Sequence, residues 1–288
     1  MPQVIRSIGC LDLMDRGASC FPLYLHTTAT TAPLLEEAGR RANLSTEGAR
    51  YVASIGAREE ALFYHTLAVL HSPAYQTENV GALRQDWPRI PLPDSRKSLE
   101  ASAALGEQIA ALLDTEAEVP GVTTGKVNPL FKTIGLITKT GGGQLDAAGN
   151  DLAVTAGWGH FGKANAVMPG KGKLTERPYN QDEAKVIDVE VRRLLGETTC
   201  NVYLNDAAHW CNIPRNVWEY TIGGYQVIKK WLSYREDEIL GRALKPEEAR
   251  EVMNTARRIA AIILLQPKLD ENYNKVKTAA FDWPRDRP

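Results

Sequence analysis

Apolar positions along the chain follow helical spacing at both ends and lose it in the middle. Residues 57–71 set Leu62, Phe63, Leu67 and Leu70 three and four apart, the stripe of an amphipathic helix. Pro73 stops it, because proline has no amide to donate and biases the residue before it away from helix. His71 stands at that helix end, where a cation or donor is favoured. A short helix is expected over residues 74–84. The next run carries Pro88, Pro91 and Pro93 and must be extended, turning Trp87, Ile90 and Leu92 onto a neighbouring surface. Asp94 or Ser95 then caps a helix reaching about Asp114, with Leu99, Ala103, Ile109, Leu112 and Leu113 on or near its buried face.

Between residues 119 and 210 glycines cluster, and short β-favouring pieces lie between them at 133–138, 152–155, 186–191 and 201–204. This suits strands joined by exposed loops. Helical spacing then returns. Pro214 opens a turn of helix with Val217 and Trp218, Gly223 and Gly224 break it, and residues 225–235 form another with Val227, Ile228, Trp231 and Leu232 inward. A last helix starts at Pro246, where Glu247 and Glu248 meet the positive end of its dipole, and Pro267 closes it. The pattern predicts an α+β fold in three parts: a mainly helical 1–118, a glycine-rich β and loop 119–210, and a helical 211–288.

Composition narrows the class. The 288 residues are 43% hydrophobic and 24% charged, an ordinary globular balance. The longest apolar run, 259–265, is far short of the roughly 20 residues of a membrane span. The first residues lack the charged and apolar regions of a secretory signal. Cys10, Cys20, Cys200 and Cys211 lack zinc-knuckle spacing, so reduced thiols in the cytoplasm and no metal are expected. His209 beside Cys211 supplies two ligands, too few for a site.

Enzyme signals are weak. Gly157 to Lys163 matches a phosphate loop until Ala164 replaces the Ser or Thr that holds magnesium, and Pro169, Gly170 and Gly172 deny the following helix. A glycine-bent loop is the better reading, and no cofactor is expected. Glu183-Ala184-Lys185 has half of a nuclease arrangement with no upstream Pro-Asp. His65 and His71 are six apart, not the four that align two ligands on one helix face.

Charge is more informative. The whole chain sums to −1, yet residues 121–177 carry +4 and the remainder −5. Within that window Trp158, His160, Lys163, Lys171, Lys173 and Arg177 crowd a glycine-rich stretch. Flexible loops bearing Lys, Arg and a planar ring grip phosphates and reach base edges. On composition alone a solvated loop explains the lysines equally well.

Ordered motifs weight the first reading. Leu67-Ala68-Val69-Leu70-His71-Ser72-Pro73-Ala74-Tyr75 precedes the proline strap; Val202-Tyr203-Leu204-Asn205 precedes Ile213-Pro214 and then Val217-Trp218-Glu219-Tyr220-Thr221-Ile222-Gly223-Gly224-Tyr225. With Cys20–Leu25 and Asn43–Ser45 ahead of them, these resemble the C-terminal specificity region of type ISP restriction-modification enzymes, from about Phe21 to Lys275. The resemblance implies a target recognition domain that binds double-stranded DNA. Adenine-N6 methyltransferase and translocase/nuclease portions would act in cis or in trans, and this chain would perform no catalysis itself. The chain lacks the Asn/Asp-Pro-Pro-Tyr/Phe motif of adenine flipping and departs locally at His26-Thr27 and Gln76. On that comparison it begins inside the recognition region, as a fragment, a split gene product or a separate polypeptide would. Trp87, Trp218, Tyr225 and Trp231 are expected as core anchors. Two other functions stay open: a docking module for a partner protein, and a nucleotide-using enzyme acting through Gly157 to Lys163.

Overall fold

The computed structural model describes residues 20–26, 39–146 and 149–283. Two compact units divide the chain: Met1–Asp114 with Leu265–Pro288, and Thr115–Leu264. Cys10 and the first residues lie outside the described set; Cys20, Cys200 and Cys211 are free thiols.

In the first unit, β1 (Tyr24–His26) pairs antiparallel with β2 (Arg40–Ala42). Then come α1 (Thr46–Ile55), α2 (Glu59–Leu70), α3 (Pro73–Glu78) and α4 (Arg96–Leu113). Ser45 caps α1 by accepting from the Gly48 amide, and Ser72 caps α3 by accepting from that of Tyr75. The 74–84 stretch is thus α3 followed by a 3-10 turn at Ala82–Arg84, with a break at Asn79. Tyr51, Val52, Ala61, Leu99 and Ala103 form one buried cluster, and Val69, Tyr75 and Tyr273 another. Gly106 lets α4 approach α2, since a Cβ there would stand 1.8 Å from the Tyr64 carbonyl oxygen.

The proline strap is held by its carbonyls. Those of Arg89, Pro91 and Pro93 accept from Tyr75 Oη, His65 Nε2 and Tyr51 Oη at 3.1, 2.9 and 2.7 Å. Prolines remove amide donors, and three buried donors from the helices meet alternate acceptors. Ile90 and Leu92 turn inward as expected. Trp87 does not: it is 65% exposed and meets Phe21 edge to face at 5.6 Å.

The second unit is built on the antiparallel sheet β3–β8–β7–β6. In chain order its elements are α5 (Pro129–Thr133), β3 (Leu136–Lys139), β4 (Gly159–Phe161), β5 (Val167–Pro169), β6 (Leu174–Pro178), α6 (Gln181–Val186), α7 (Val189–Leu195), β7 (Thr198–Tyr203), β8 (Ala208–Pro214), α8 (Arg215–Trp218), β9 (Thr221–Ile222), β10 (Tyr225–Gln226), α9 (Val227–Ser233), α10 (Asp237–Leu240) and the first part of α11 (Pro246–Thr278), whose residues from Leu265 belong to the first unit. Val202, Trp210 and Ile213 are buried, and Trp210 Nε1 donates to the Ala249 carbonyl of α11. Asn205 ends the β7–β8 hairpin: its Oδ1 accepts from Ala207 and Ala208, while its Nδ2 donates to Ala153 O at 2.7 Å.

Mixed helix and strand agree with the α+β expectation, with four corrections of detail. Residues 186–191 form no strand but end α6 and begin α7, with Ile187 and Asp188 between them, because Asn180 and Asp188 cap the two helices in quick succession and outweigh the β-branched side chains. Residues 152–155 form no strand; the Leu152 and Val154 carbonyls accept from Leu244 and Asp237 instead. Tyr225 opens a hairpin strand and is 49% exposed, so it anchors no core. Pro267 lies inside α11. One missing hydrogen bond is outweighed by Leu269, Tyr273 and Val276, all buried beyond it in the first unit.

Candidate nucleic-acid interface

The +4 window folds around a small hairpin. β4 and β5 pair antiparallel, with His160 opposite Met168 and Phe161 opposite Val167. Directly opposed residues share a face, so His160 and Met168 stand on one side of the ribbon and Phe161 and Val167 on the other. Between them Ala164 and Asn165 adopt left-handed φ of 56° and 58°, and Gly162 N–H closes the turn onto Ala166 O at 2.7 Å. A non-glycine residue held at positive φ stores strain that surrounding contacts must offset.

The base of the hairpin is rigid. Both Glu236 carboxylate oxygens accept from backbone amides, those of Gly157 and Trp158, at 2.9 and 2.8 Å. Trp158 Nε1 donates to Tyr203 O at 2.7 Å, and its ring meets Trp218 edge to face at 5.4 Å. Gly172 lies against the Trp158 ring, where a Cβ would come within 2.0 Å, and its φ is +70°. Gly159 packs equally close to the Ser233 carbonyl. A protein carboxylate thus already occupies the first two amides of the stretch Gly157 to Lys163 that resembles a phosphate loop.

The predicted contact residues therefore part company. Trp158 is fully buried and supports the loop from beneath, which corrects the expectation that it faces a ligand. Arg177 makes a two-pronged pair with Glu183, both bonds 2.7 Å, and donates to Asn201, so it braces β6 on α6. Lys173 reaches Asp206 at 2.7 Å while lying over the Tyr203 ring, and Asp206 raises its pKa. His160, Lys163 and Lys171 are exposed, and among the described residues neither lysine enters an ion pair. The composition-based reading missed Phe161 and Met168, 43% and 47% exposed, and Asn165 at the tip. Two short runs ending in Phe161 and starting at Val167, separated by a loop holding Gly and Asn, were the available hairpin signal.

Other candidates resolve as scaffold. Glu183 is spent on Arg177 and on the Asn180 amide, and Lys185 on Asp182. His209 sits against Tyr203 and between Thr138 and Thr140, with burial lowering its pKa. Among the described residues no three His, Cys, Asp or Glu side chains group to hold a metal. Among them, too, no helix is long and apolar enough to cross a membrane.

The hairpin thus presents exposed His160, Phe161, Lys163, Asn165 and Met168 above a hydrogen-bonded base. The chain belongs to the type ISP C-terminal specificity domain family, whose model matches residues 2–263. Its function is that of such a domain, DNA target recognition. Among solved structures it is similar to the DrdV–DNA complex, with 17% identity over 96% of this chain and 22% of that one and a TM-score of 0.50, which speaks to the fold alone. It is also similar to the ATP-dependent type ISP restriction-modification enzyme LlaBIII bound to DNA (16% identity, 88% of this chain, 13% of that one, TM-score 0.47). A nuclease-deletion mutant of the type ISP enzyme LlaGI with a DNA substrate mimic matches at 17% identity, 88% and 17% coverage and a TM-score of 0.42. The chain spans less than a quarter of each. No curated protein matches it.

Proposed function

We propose that target recognition by this chain runs through the β4–β5 hairpin, laid in the major groove of double-stranded DNA. A two-stranded ribbon fits that groove. Lys163 and Lys171 neutralise phosphates, while Asn165 and His160 reach base edges and Phe161 or Met168 meets a thymine methyl. Lys173 is held by Asp206 and is not counted among the phosphate contacts. The observation that carries this reading is the pairing of unneutralised lysines with a rigidly based, strained tip. The chain carries out no chemistry; an adenine-N6 methyltransferase portion flips and modifies the base, and translocase and nuclease portions complete the enzyme, in cis or in trans.

Selection from a randomised duplex pool tests the assignment. Asn165→Ala with His160→Ala should change the preferred sequence, whereas Lys163→Ala with Lys171→Ala should weaken all sequences about equally. If the wild-type chain shifts no duplex at low salt, even with the methyltransferase portion supplied, the reading is wrong. Retention of that portion without duplex binding makes the chain a docking module instead.

A further inference from the structure

A second cationic surface adjoins the hairpin and is absent from the +4 window. Helix α9 buries Ile228 and Leu232, at 1% and 0% exposure, and leaves Lys229, Lys230 and Trp231 half-buried on its other side. On that side Lys230 Nζ lies 4.8 Å from the ring centroids of both Tyr225 and Tyr234. Those rings are 49% and 46% exposed. Arg235 stacks on Trp231 at 3.8 Å, with Glu251 no nearer than 4.0 Å. Aromatic faces hold an ammonium in place without cancelling its charge, unlike the carboxylates that occupy Lys139, Lys173 and Arg177. Neither Lys229 nor Lys230 enters an ion pair among the described residues. The strip is coupled to the hairpin, since α9 packs on β4 and β5 and the Ser233 carbonyl fills the space a Gly159 Cβ would need.

We propose that Tyr225, Lys229, Lys230 and Tyr234 form a sequence-independent clamp on a phosphodiester backbone of the duplex whose groove receives the hairpin. This rests on the hairpin reading above. Ammonium groups and phenol hydroxyls present donors to phosphate oxygens, and a helix fixed beside a groove-filling ribbon meets the strand that borders the groove. Lys230 is pre-positioned by two rings, so little of its side-chain freedom is lost on binding. Tyrosine, tryptophan and arginine also populate protein interfaces, and a protein occupant is the competing outcome of the test.

The probe is labelled duplex, in the preferred sequence and in a scrambled one, titrated with the whole chain over a range of salt. Lys229→Ala with Lys230→Ala should weaken both duplexes alike, by roughly tenfold or more near 0.1 M salt, and flatten the slope of log K against log salt by about 1.8. Lys230→Arg should retain most of the affinity. Tyr225→Phe with Tyr234→Phe, keeping the rings and removing the hydroxyls, should fall between. Circular dichroism checks folding, and Lys229→Gln with Lys230→Gln repeats the measurement if the alanine pair unfolds. Unchanged affinity and slope overturn the proposal, as does altered sequence preference at constant slope. Unchanged duplex binding with lost retention of the methyltransferase portion assigns the strip to protein docking. Silent α9 variants beside effective hairpin variants sink the clamp alone; a wild-type chain that binds no duplex sinks the hairpin reading with it.

Discussion

His65 is fully buried in α2 and links three segments of the first unit. The Pro91 carbonyl only accepts, so Nε2 carries the ring proton and Nδ1 accepts from Ser102 Oγ at 2.7 Å. Ser102 in turn accepts from Asn272 Nδ2 at 2.8 Å. Burial lowers the His65 pKa to about 4 from 6.5, against the smaller opposing effect of the Pro91 bond. The unfolded chain therefore binds a proton that the folded chain refuses. Its contribution is complete above about pH 6.5 and is lost as pH falls toward 4, a change of about 3 kcal/mol. Urea denaturation of wild type and His65→Gln should show the variant weaker at pH 7 and the gap closing by pH 4; parallel curves would remove His65 as the cause. Gly172 makes the corresponding point at the interface. Gly172→Ala pushes a Cβ into the Trp158 ring at a φ of +70°, and should cost about 2 kcal/mol or more. The thermal midpoint should fall with it, and duplex affinity should fall further than the midpoint alone explains.

At the level of elements, the hairpin owes its position to a carboxylate far away in the chain. Glu236 is 6% exposed and takes the amides of Gly157 and Trp158. Glu236→Ala strands both donors, at about 1–3 kcal/mol for each unsatisfied group. Hydrogen exchange should quicken at Gly157 and Trp158 more than at the β7–β8 ladder; uniform quickening would mean global rather than local loosening. The same scale explains where local patterns misled. Residues 186–191 have β-favouring side chains, but two Asx caps start helices around them. Pro267 has the chemistry of a stop, but the buried Tyr273 and Val276 keep α11 going beyond it.

For the molecule as a whole, a net charge of −1 gives no general attraction to DNA. Affinity must come from cations left unneutralised by the fold. In the second unit Lys139, Arg177 and Arg215 are held by Asp151, Glu183 and Glu176, whereas Lys163, Lys171, Lys229 and Lys230 have no ion-pair partner among the described residues. Four phosphate contacts imply a slope of log K against log salt near about −3.6. Removing Lys139 should leave that slope nearly unchanged, while Lys163→Ala should reduce it by about 0.9. Equal effects from both substitutions would show that ion pairing does not sort the cations.

Reading residues in order was enough to place the helices with clear three- and four-residue spacing, α2 and α4 among them, and the proline strap. Those features depend on neighbours within a few positions, and so did the ordered motifs that carry the family. Which side chains remain free to meet a ligand was decided only in three dimensions. Trp158 is withdrawn by Tyr203 and Trp218, and Arg177 is occupied by Glu183 and Asn201. Lys230 is held ready by the rings of Tyr225 and Tyr234, which flank α9 in the chain. Burial and neutralisation are relations between distant residues: Asp206 stands 33 positions from Lys173, and Glu236 stands 78 from Trp158. A linear pattern places a charge or a ring on an element; only packing determines whether another group has already taken it.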